Sequence, residues 1–349
     1  MLESQKKLTI AIPTYNRANH LDVLLNSILI EYGNISEYLE LIVSDNASND
    51  NTKEVVDKYL LLGLQIKYFC QTENLGPDRN IANCFIQSSG EYVWVMGDDD
   101  LLLHGTLDKI FNILKLENPD LVYIPYTMDG HNRAFSRQDS SVNVKVFYSN
   151  TLFIKKVHHN ITFISGNIIN KNLVKSQINN NNLKMYYGSY LVQLLWVLSA
   201  IEMGTKFIIC EDPYILVPKN NSGGYKIFDV FAKNISEILS NRFGENHLFK
   251  DILIKELIKG PCIYWVYNLR VNNNRNFINE EDLAEKLNKY YSKYLVYWVY
   301  LYPILKFPKS ILKIFLFLDY VLNKVSKFIF LCGECYSFAF CHKPQRKKL

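Results

Sequence analysis

The chain has 349 residues, 48% of them hydrophobic, which is enough apolar material for a large buried core and for two domains or one domain with a long extension. That composition excludes a disordered chain, and a formal charge of +5, concentrated toward the C-terminus, does not suggest a nucleic-acid partner. Met1 to Lys7 is polar and Leu8 to Pro13 is too short for the apolar region of a signal peptide, so the N-terminal part is expected to stay in the cytoplasm. Seven scattered cysteines, an odd number, read as reduced thiols that serve as small core residues.

In chain order, Leu8–Pro13, Leu39–Ser44, Leu64–Phe69, Tyr92–Met96 and Leu121–Pro125 read as strands, being short, apolar and rich in β-branched or aromatic residues. Between them Asn19–Ile30, Asn51–Leu62, Pro77–Ser88 and Gly105–Leu116 carry helical periodicity. The alternation predicts an α/β domain with a mostly parallel sheet flanked by helices. From about Tyr126 to Asn182 the signal weakens, with strand candidates at Val142–Tyr148 and Ile161–Ile169. Met185–Met203 reads as one helix, Lys206–Ile209 and Tyr214–Val217 as short strands, and Lys219 to Tyr225 as a loop that can serve as a lid.

Open α/β sheets bind ligands outside the carboxyl ends of their strands. Three polar clusters fall there: Pro13-Thr14-Tyr15-Asn16-Arg17 after the first strand, Asp45 to Asp50 after the second, and Asp98-Asp99-Asp100 after the fourth. Each has a bland explanation as a turn or a helix cap. Three adjacent carboxylates exceed what a cap needs, however, and they repel one another unless a cation sits among them. Hard cations such as Mg²⁺ and Mn²⁺ are often held by one or two carboxylates together with substrate phosphates.

The ordered motifs Ile10-Ala11-Ile12-Pro13-Thr14-Tyr15-Asn16-Arg17, Ile42-Val43-Ser44-Asp45-Asn46-Ala47-Ser48-Asn49-Asp50, Glu73-Asn74-Leu75-Gly76-Pro77-Asp78-Arg79-Asn80 and Gly97-Asp98-Asp99-Asp100 resemble those of family 2 glycosyltransferases with a GT-A fold. The resemblance covers about Leu8 to Leu116 and is greatest to bacterial O-antigen and capsule transferases of the abequosyltransferase-like group. It implies transfer of a monosaccharide from a nucleotide-diphosphate sugar to a saccharide acceptor. It also implies that Pro13, Thr14, Tyr15, Arg17, Asp45, Asn74, Arg79, Asp98 and Asp99 bind the donor, and that Asp98 and Asp100 hold Mg²⁺ or Mn²⁺. Two departures stand out. Gly97 occupies a position that is aspartate in many members, which leaves the ligand register open by one residue. The family's catalytic Glu-Asp pair would fall near Gly188-Ser189-Tyr190, where there is no carboxylate. Glu202, Asp212, His158 and His159 are the remaining candidates for the base that takes the acceptor proton, and the resemblance favours inversion.

On this reading residues 1–225 form the GT-A domain, with a nucleotide-binding half at 8–125 and an acceptor half at 126–225, and residues 226–349 form a helical extension. Beyond about Asn272 the chain is rich in Tyr, Phe, Leu and Lys. Leu295–Leu305 is apolar but shorter than the ~20 residues that span a bilayer. Ser310–Phe330 is amphipathic with basic residues, a pattern suited either to the inner face of the cell membrane or to packing on the catalytic core. Membrane attachment would suit a polyprenyl-diphosphate-linked acceptor. Cys332, Cys335, Cys341 and His342 can bind zinc, though their spacing departs from common fingers, and they can equally be plain apolar residues. Two other function classes remain. A nucleotidyltransferase would carry a glycine-rich loop that Pro13 to Arg17 lacks, and a base-less nucleotide-sugar binding protein would show no turnover.

Overall fold

The computed structural model describes residues 6–33, 35–128, 142–218, 224–272, 280, 282–308, 312 and 345–348. It divides into two compact units, Met1–Asn221 with Pro344–Leu349, and Ser222–Lys343.

The first unit opens with β1 (Leu8–Thr14), α1 (Ala18–Tyr32), β2 (Leu39–Asp45), α2 (Thr52–Leu61), β3 (Ile66–Cys70), α3 (Pro77–Gln87) and β4 (Tyr92–Val95). There follow β5 (Leu101–Leu102), α4 (Thr106–Glu117), β6 (Leu121–Tyr123), β7 (Tyr126–Thr127), β8 (Asn143–Phe147), α5 (Asn150–Val157) and β9 (Asn167–Asn170). Then come α6 (Lys171–Val174), α7 (Asn180–Lys184), α8 (Leu194–Met203), β10 (Phe207–Cys210) and β11 (Ile215–Leu216). The main sheet has the order β12-β8-β10-β6-β9-β4-β1-β2-β3, where β12 is Gln345–Lys348. Only β8 and β9 run against the other strands, so the sheet is mainly parallel and the fold is GT-A.

The sheet is buried on both faces at its centre, and β1 and β2 are accordingly mostly apolar, with Thr9 and Glu40 among the few buried polar residues. Leu8, Ile10 and Ile12 join a core with Leu21, Leu24 and Leu25 of α1, Val56 and Tyr59 of α2, and Ile110 and Ile113 of α4. On the opposite face α3 packs on β1 and β2 while α8 packs on β9 and β6. There Phe85 stacks on Trp196 with ring centroids 4.4 Å apart, a contact whose loss to alanine costs about 3 kcal/mol or more. A second sheet, β5-β11-β7, is built from strands of two residues.

Two expectations fail between residues 126 and 225. Ile161–Ile169 is not a strand throughout: 3₁₀ turns at His158–Thr162 and Ile164–Gly166 precede β9. The Asn167 side-chain amide donates to the carbonyls of Ile161 and Phe163, at 3.1 and 2.8 Å, and folds the chain back on itself. Met185–Met203 is not one helix either. α8 begins only at Leu194, because Gly188 (φ 84°) and Tyr190 (φ 61°) adopt left-handed backbone that ends the periodic stretch.

The second unit is helical: α9 (Ile235–Phe243), α10 (Leu248–Lys259), α11 (Pro261–Tyr267), α12 (Leu283–Tyr291) and α13 (Tyr302–Lys306). Buried Glu280 accepts from Phe228 N–H and Lys286, and buried Lys250 donates to Glu245. Among the described residues no helix is long and apolar enough to cross a membrane. The stretch Lys219 to Asn221 with Ser222 and Gly223, the amphipathic segment 313–330, and Cys332, Cys335, Cys341 and His342 lie outside the described residues.

Candidate active site

The carboxyl ends of β1, β2 and β4 are tied together by side chains whose residue types are specific to that task. Asn80 of α3 donates to the carbonyls of Thr14 (3.2 Å) and Ser44 (2.9 Å) and accepts from the Ser44 hydroxyl (2.7 Å). Asn16 and Ala47 both hold positive φ, 51° and 63°, and the two turns interlock: Asn16 N–H donates to Ser48 Oγ, and Asn16 Oδ1 accepts from Asn49 N–H. A left-handed alanine costs on the order of 1 kcal/mol, so the surrounding bonds hold this edge against local preference.

The acidic triplet sits on that edge, and it does not cap α4. The α4 amides of Gly105 and Leu107 donate instead to the Glu31 carboxylate of α1, the latter at 2.8 Å. Asp98, 5% exposed, accepts from Thr14 Oγ1 (2.8 Å) and from Arg17 (3.1 Å). Arg17 also reaches Asp99 at 3.1 Å. Asp100, 3% exposed, accepts from Ser165 Oγ at 2.5 Å, and the same hydroxyl accepts from Gly97 N–H at 2.9 Å. Burial drives the Asp100 carboxyl up to about 7, with Asp99 and Asp98 adding to the rise and Ser165 opposing it. Burial also raises Asp98, against the pull of Arg17. The Arg17 guanidinium therefore meets two of the three carboxylates, Asp98 and Asp99.

Gly97 has a steric reason. A Cβ there would lie 3.1 Å from Asp99 Oδ1 and 3.2 Å from Asp100 Oδ2, crowding the cluster. Among the described residues no group of three or more His, Cys, Asp or Glu side chains is placed to hold a metal unaided. A site of one or two carboxylates completed by phosphate oxygens does not require one.

At the end of β2, buried Asp45 accepts from Ser48 N–H (2.9 Å) and from the Tyr68 hydroxyl (2.6 Å), so its turn role is real. Asp50 is a helix-terminus residue, accepting from Ala18 N–H and Thr52 N–H. Asn74 accepts from Asn46 (2.8 Å) and Gly76 N–H (2.9 Å). Tyr15 and Arg79 are exposed and Pro13 is half-buried. The Arg79 guanidinium lies over the Tyr187 ring, 5.2 Å from its centroid.

The base candidates come from separate elements. Glu202 is exposed in the last turn of α8, about 12 Å along the helix from its start. Asp212 follows β10, which is separated from β4 by β6 and β9, or roughly 14 Å at ordinary strand spacing, and it accepts from Asn143. His158 and His159 bring their Nδ1 atoms within 2.9 Å of each other, and burial lowers the His159 imidazole to about 3, with His158 contributing. Gly188-Ser189-Tyr190 has no carboxylate of its own. Sequence reasoning missed Ser165, whose neighbours read as strand, and left Asp78 without a role although it lies inside a quoted motif.

The sequence profile of the family described as Glycosyl transferase family 2 matches residues 9–176. The poly(ribitol-phosphate) β-N-acetylglucosaminyltransferase TarP of Staphylococcus aureus (strain N315) is 30% identical over 301 residues, 82% of this chain and 87% of TarP. The chain belongs to glycosyl transferase family 2. Abequosyltransferase RfbV of Salmonella typhimurium is 38% identical over 104 residues, 29% of this chain and 30% of RfbV. The Campylobacter jejuni GalNAc(5)-diNAcBac-PP-undecaprenol β-1,3-glucosyltransferase is 40% identical over 105 residues, 30% of this chain and 33% of that enzyme. This family 2 chain thus spans about a third of the length of those two relatives. The fold matches S. aureus TarS 1–349 in complex with UDP-GlcNAc at a TM-score of 0.58, with 18% identity and 82% of each chain covered.

Proposed function

We propose that this family 2 glycosyltransferase transfers a monosaccharide from a nucleoside-diphosphate sugar to a saccharide acceptor. The observation that carries the reading is the Asp98–Asp100 cluster, left free of capping duty by Glu31 and bridged to β1 by Thr14 and Arg17. Its hard oxygen donors suit Mg²⁺ or Mn²⁺, with Asp98 and Asp100 as the residues that would hold the ion. Bound there with the donor, the cation would neutralise charge on the departing diphosphate. Arg17 orients the carboxylates. Pro13, Thr14, Tyr15, Asp45 and Asn74 line the nucleoside side, and Arg79 offers directed donors to the diphosphate or base. TarS is known with UDP-GlcNAc, which makes UDP-sugars the first donors to test.

The acceptor is a saccharide on polyprenyl diphosphate, as in O-antigen or capsule assembly, at the cytoplasmic face of the membrane. The name of the Campylobacter relative supports a polyprenyl acceptor, and a poly(ribitol-phosphate) chain, as named for TarP, is the competing outcome. Peripheral attachment is supported by the second unit, where Leu295 (77% exposed), Trp298 and Val299 share a helical face with Lys293 and Lys306 near its ends. The carboxylate-free turn at Gly188–Tyr190 favours one second reading, a nucleotide-sugar binding protein without turnover. Thermal shifts with UDP-, GDP-, CDP- and dTDP-sugars, with and without Mn²⁺, followed by turnover of the stabilising donor, test both. Absence of any shift sinks the donor reading, and binding without transfer leaves the second.

A further inference from the structure

We infer that Asp78 is a positioning residue: by holding the turn Tyr186–Val192 with its carboxylate, it sets Tyr187 beneath Arg79 and so orients that guanidinium for the donor. Asp78 stands at the start of α3 and is only 3% exposed. A first-turn aspartate ordinarily serves its own helix, but here the oxygens reach a segment more than a hundred residues away. Oδ2 accepts from Tyr190 N–H at 2.9 Å and Oδ1 from Val192 N–H at 3.3 Å. Burial raises the Asp78 carboxyl, while the amides of Tyr190, Val192, Gly188 and Ser189 pull it back down.

The turn needs such an external tie. Gly188 and Tyr190 both hold positive φ, and for tyrosine this backbone is strained. Ser189 adds local bonds, donating to the Tyr186 carbonyl and accepting from Leu191 N–H. The consequence falls on the next residue of α3. Arg79 is exposed, and its guanidinium rests on the Tyr187 ring, so a neighbour carried by the turn fixes its direction. The segment that lacks a carboxylate of its own thus borrows one from α3. α3 is also the helix that ties β1 to β2 through Asn80, so the turn is referenced directly to the nucleoside edge.

The inference rests on the nucleoside-diphosphate-sugar reading, and two measurements on the full chain separate their failures. Hydrogen exchange reports the tie without a ligand: Asp78→Asn places an NH₂ group against backbone N–H donors, and the amides of Tyr190 and Val192 should lose protection while those of β1 and β2 keep theirs. Titration with UDP and Mg²⁺ reports the orientation. Asp78→Asn and Tyr187→Ala should each weaken binding about tenfold, and the double variant should be no weaker than either. Tyr187→Phe, which keeps the ring, should bind like the parent. Unchanged exchange at Tyr190 and Val192, or UDP affinity in Asp78→Asn within about twofold of the parent, overturns the inference, as does full additivity in the double variant. Should Asp78→Asn not fold, Tyr187→Ala decides alone, since parental affinity there breaks the link to Arg79. A parent chain that binds UDP, GDP, CDP and dTDP alike not at all overturns the donor reading and the inference with it.

Discussion

The same parallel strands carry buried carboxylates at both ends, and the two ends are wired differently. At the amino end, Glu40 of β2 accepts from Thr9, from Ser89 N–H (2.7 Å) and Oγ (2.7 Å), and from Lys67 (2.6 Å). Burial alone would raise its carboxyl, but the Lys67, Thr9 and Ser89 hydrogen bonds prevail and hold it down at about 2. At the carboxyl end, burial and mutual repulsion prevail, and Asp100 is pushed up to about 7. A saturated carboxylate secures a fold. An under-compensated cluster is stabilised by what it binds.

The largest expected effect comes from emptying the under-compensated end. Asp98→Ala with Asp100→Ala should cut transfer by about a thousandfold or more and abolish metal-dependent donor binding, while the melting temperature stays level or rises. Full activity in that variant, or turnover indifferent to EDTA, would break the contrast. Emptying the saturated end should do the reverse. Glu40→Gln should cost about 2 kcal/mol in urea unfolding at pH 7 and leave donor affinity unaltered. Because the Glu40 carboxyl is lowered by folding, its stabilisation is present above its ordinary value near 4.5 and is lost as pH falls toward 2. The difference between parent and Glu40→Gln should therefore shrink across that window, and a gap that stays constant with pH would show that packing, not charge, is at work there.

Arg17→Lys sharpens the comparison from within the site. One guanidinium nitrogen serves both Asp98 and Asp99, and lysine's point charge cannot hold the same directed geometry, so donor affinity should fall about fivefold to tenfold. Equal affinity by calorimetry would reduce Arg17 to a simple counter-charge. The smallest effect concerns the other unit. Leu295→Glu with Trp298→Glu should weaken sedimentation with anionic liposomes several-fold without touching donor turnover in solution. Undiminished sedimentation would remove that face from the membrane reading.

Much of residues 8–125 was legible because its signals are local. β1, β2 and β4 are short, mostly apolar runs, and Thr14, Arg17 and Asp98 lie at or just past strand ends where topology requires them to meet. The stretch from 126 to 225 was less legible because distant residues decide it. Nothing within Met185–Met203 announces that Asp78 will claim two of its amides, and an apolar stretch with helical spacing reads as helix up to Gly188 and beyond. Strands of two residues, such as β5 and β7, carry no period to read. Gln345–Lys348, four polar or basic residues, pairs with β8 at the sheet edge, and such a run carries no hydrophobic signal in the sequence.

The direction of β9 decides which piece of chain can reach the reacting end. A strand parallel to β4 would offer that edge only the loop that leaves it. Running antiparallel between β4 and β6, β9 delivers the loop that enters it, and so brings Ser165 to Asp100. The edge formed by β1 and β2 and the wall behind Asp100 consequently belong to separately routed stretches of chain. Redesign of residues 158–166 should therefore alter the surroundings of Asp100 while the interlocked turns after β1 and β2 are left as they are.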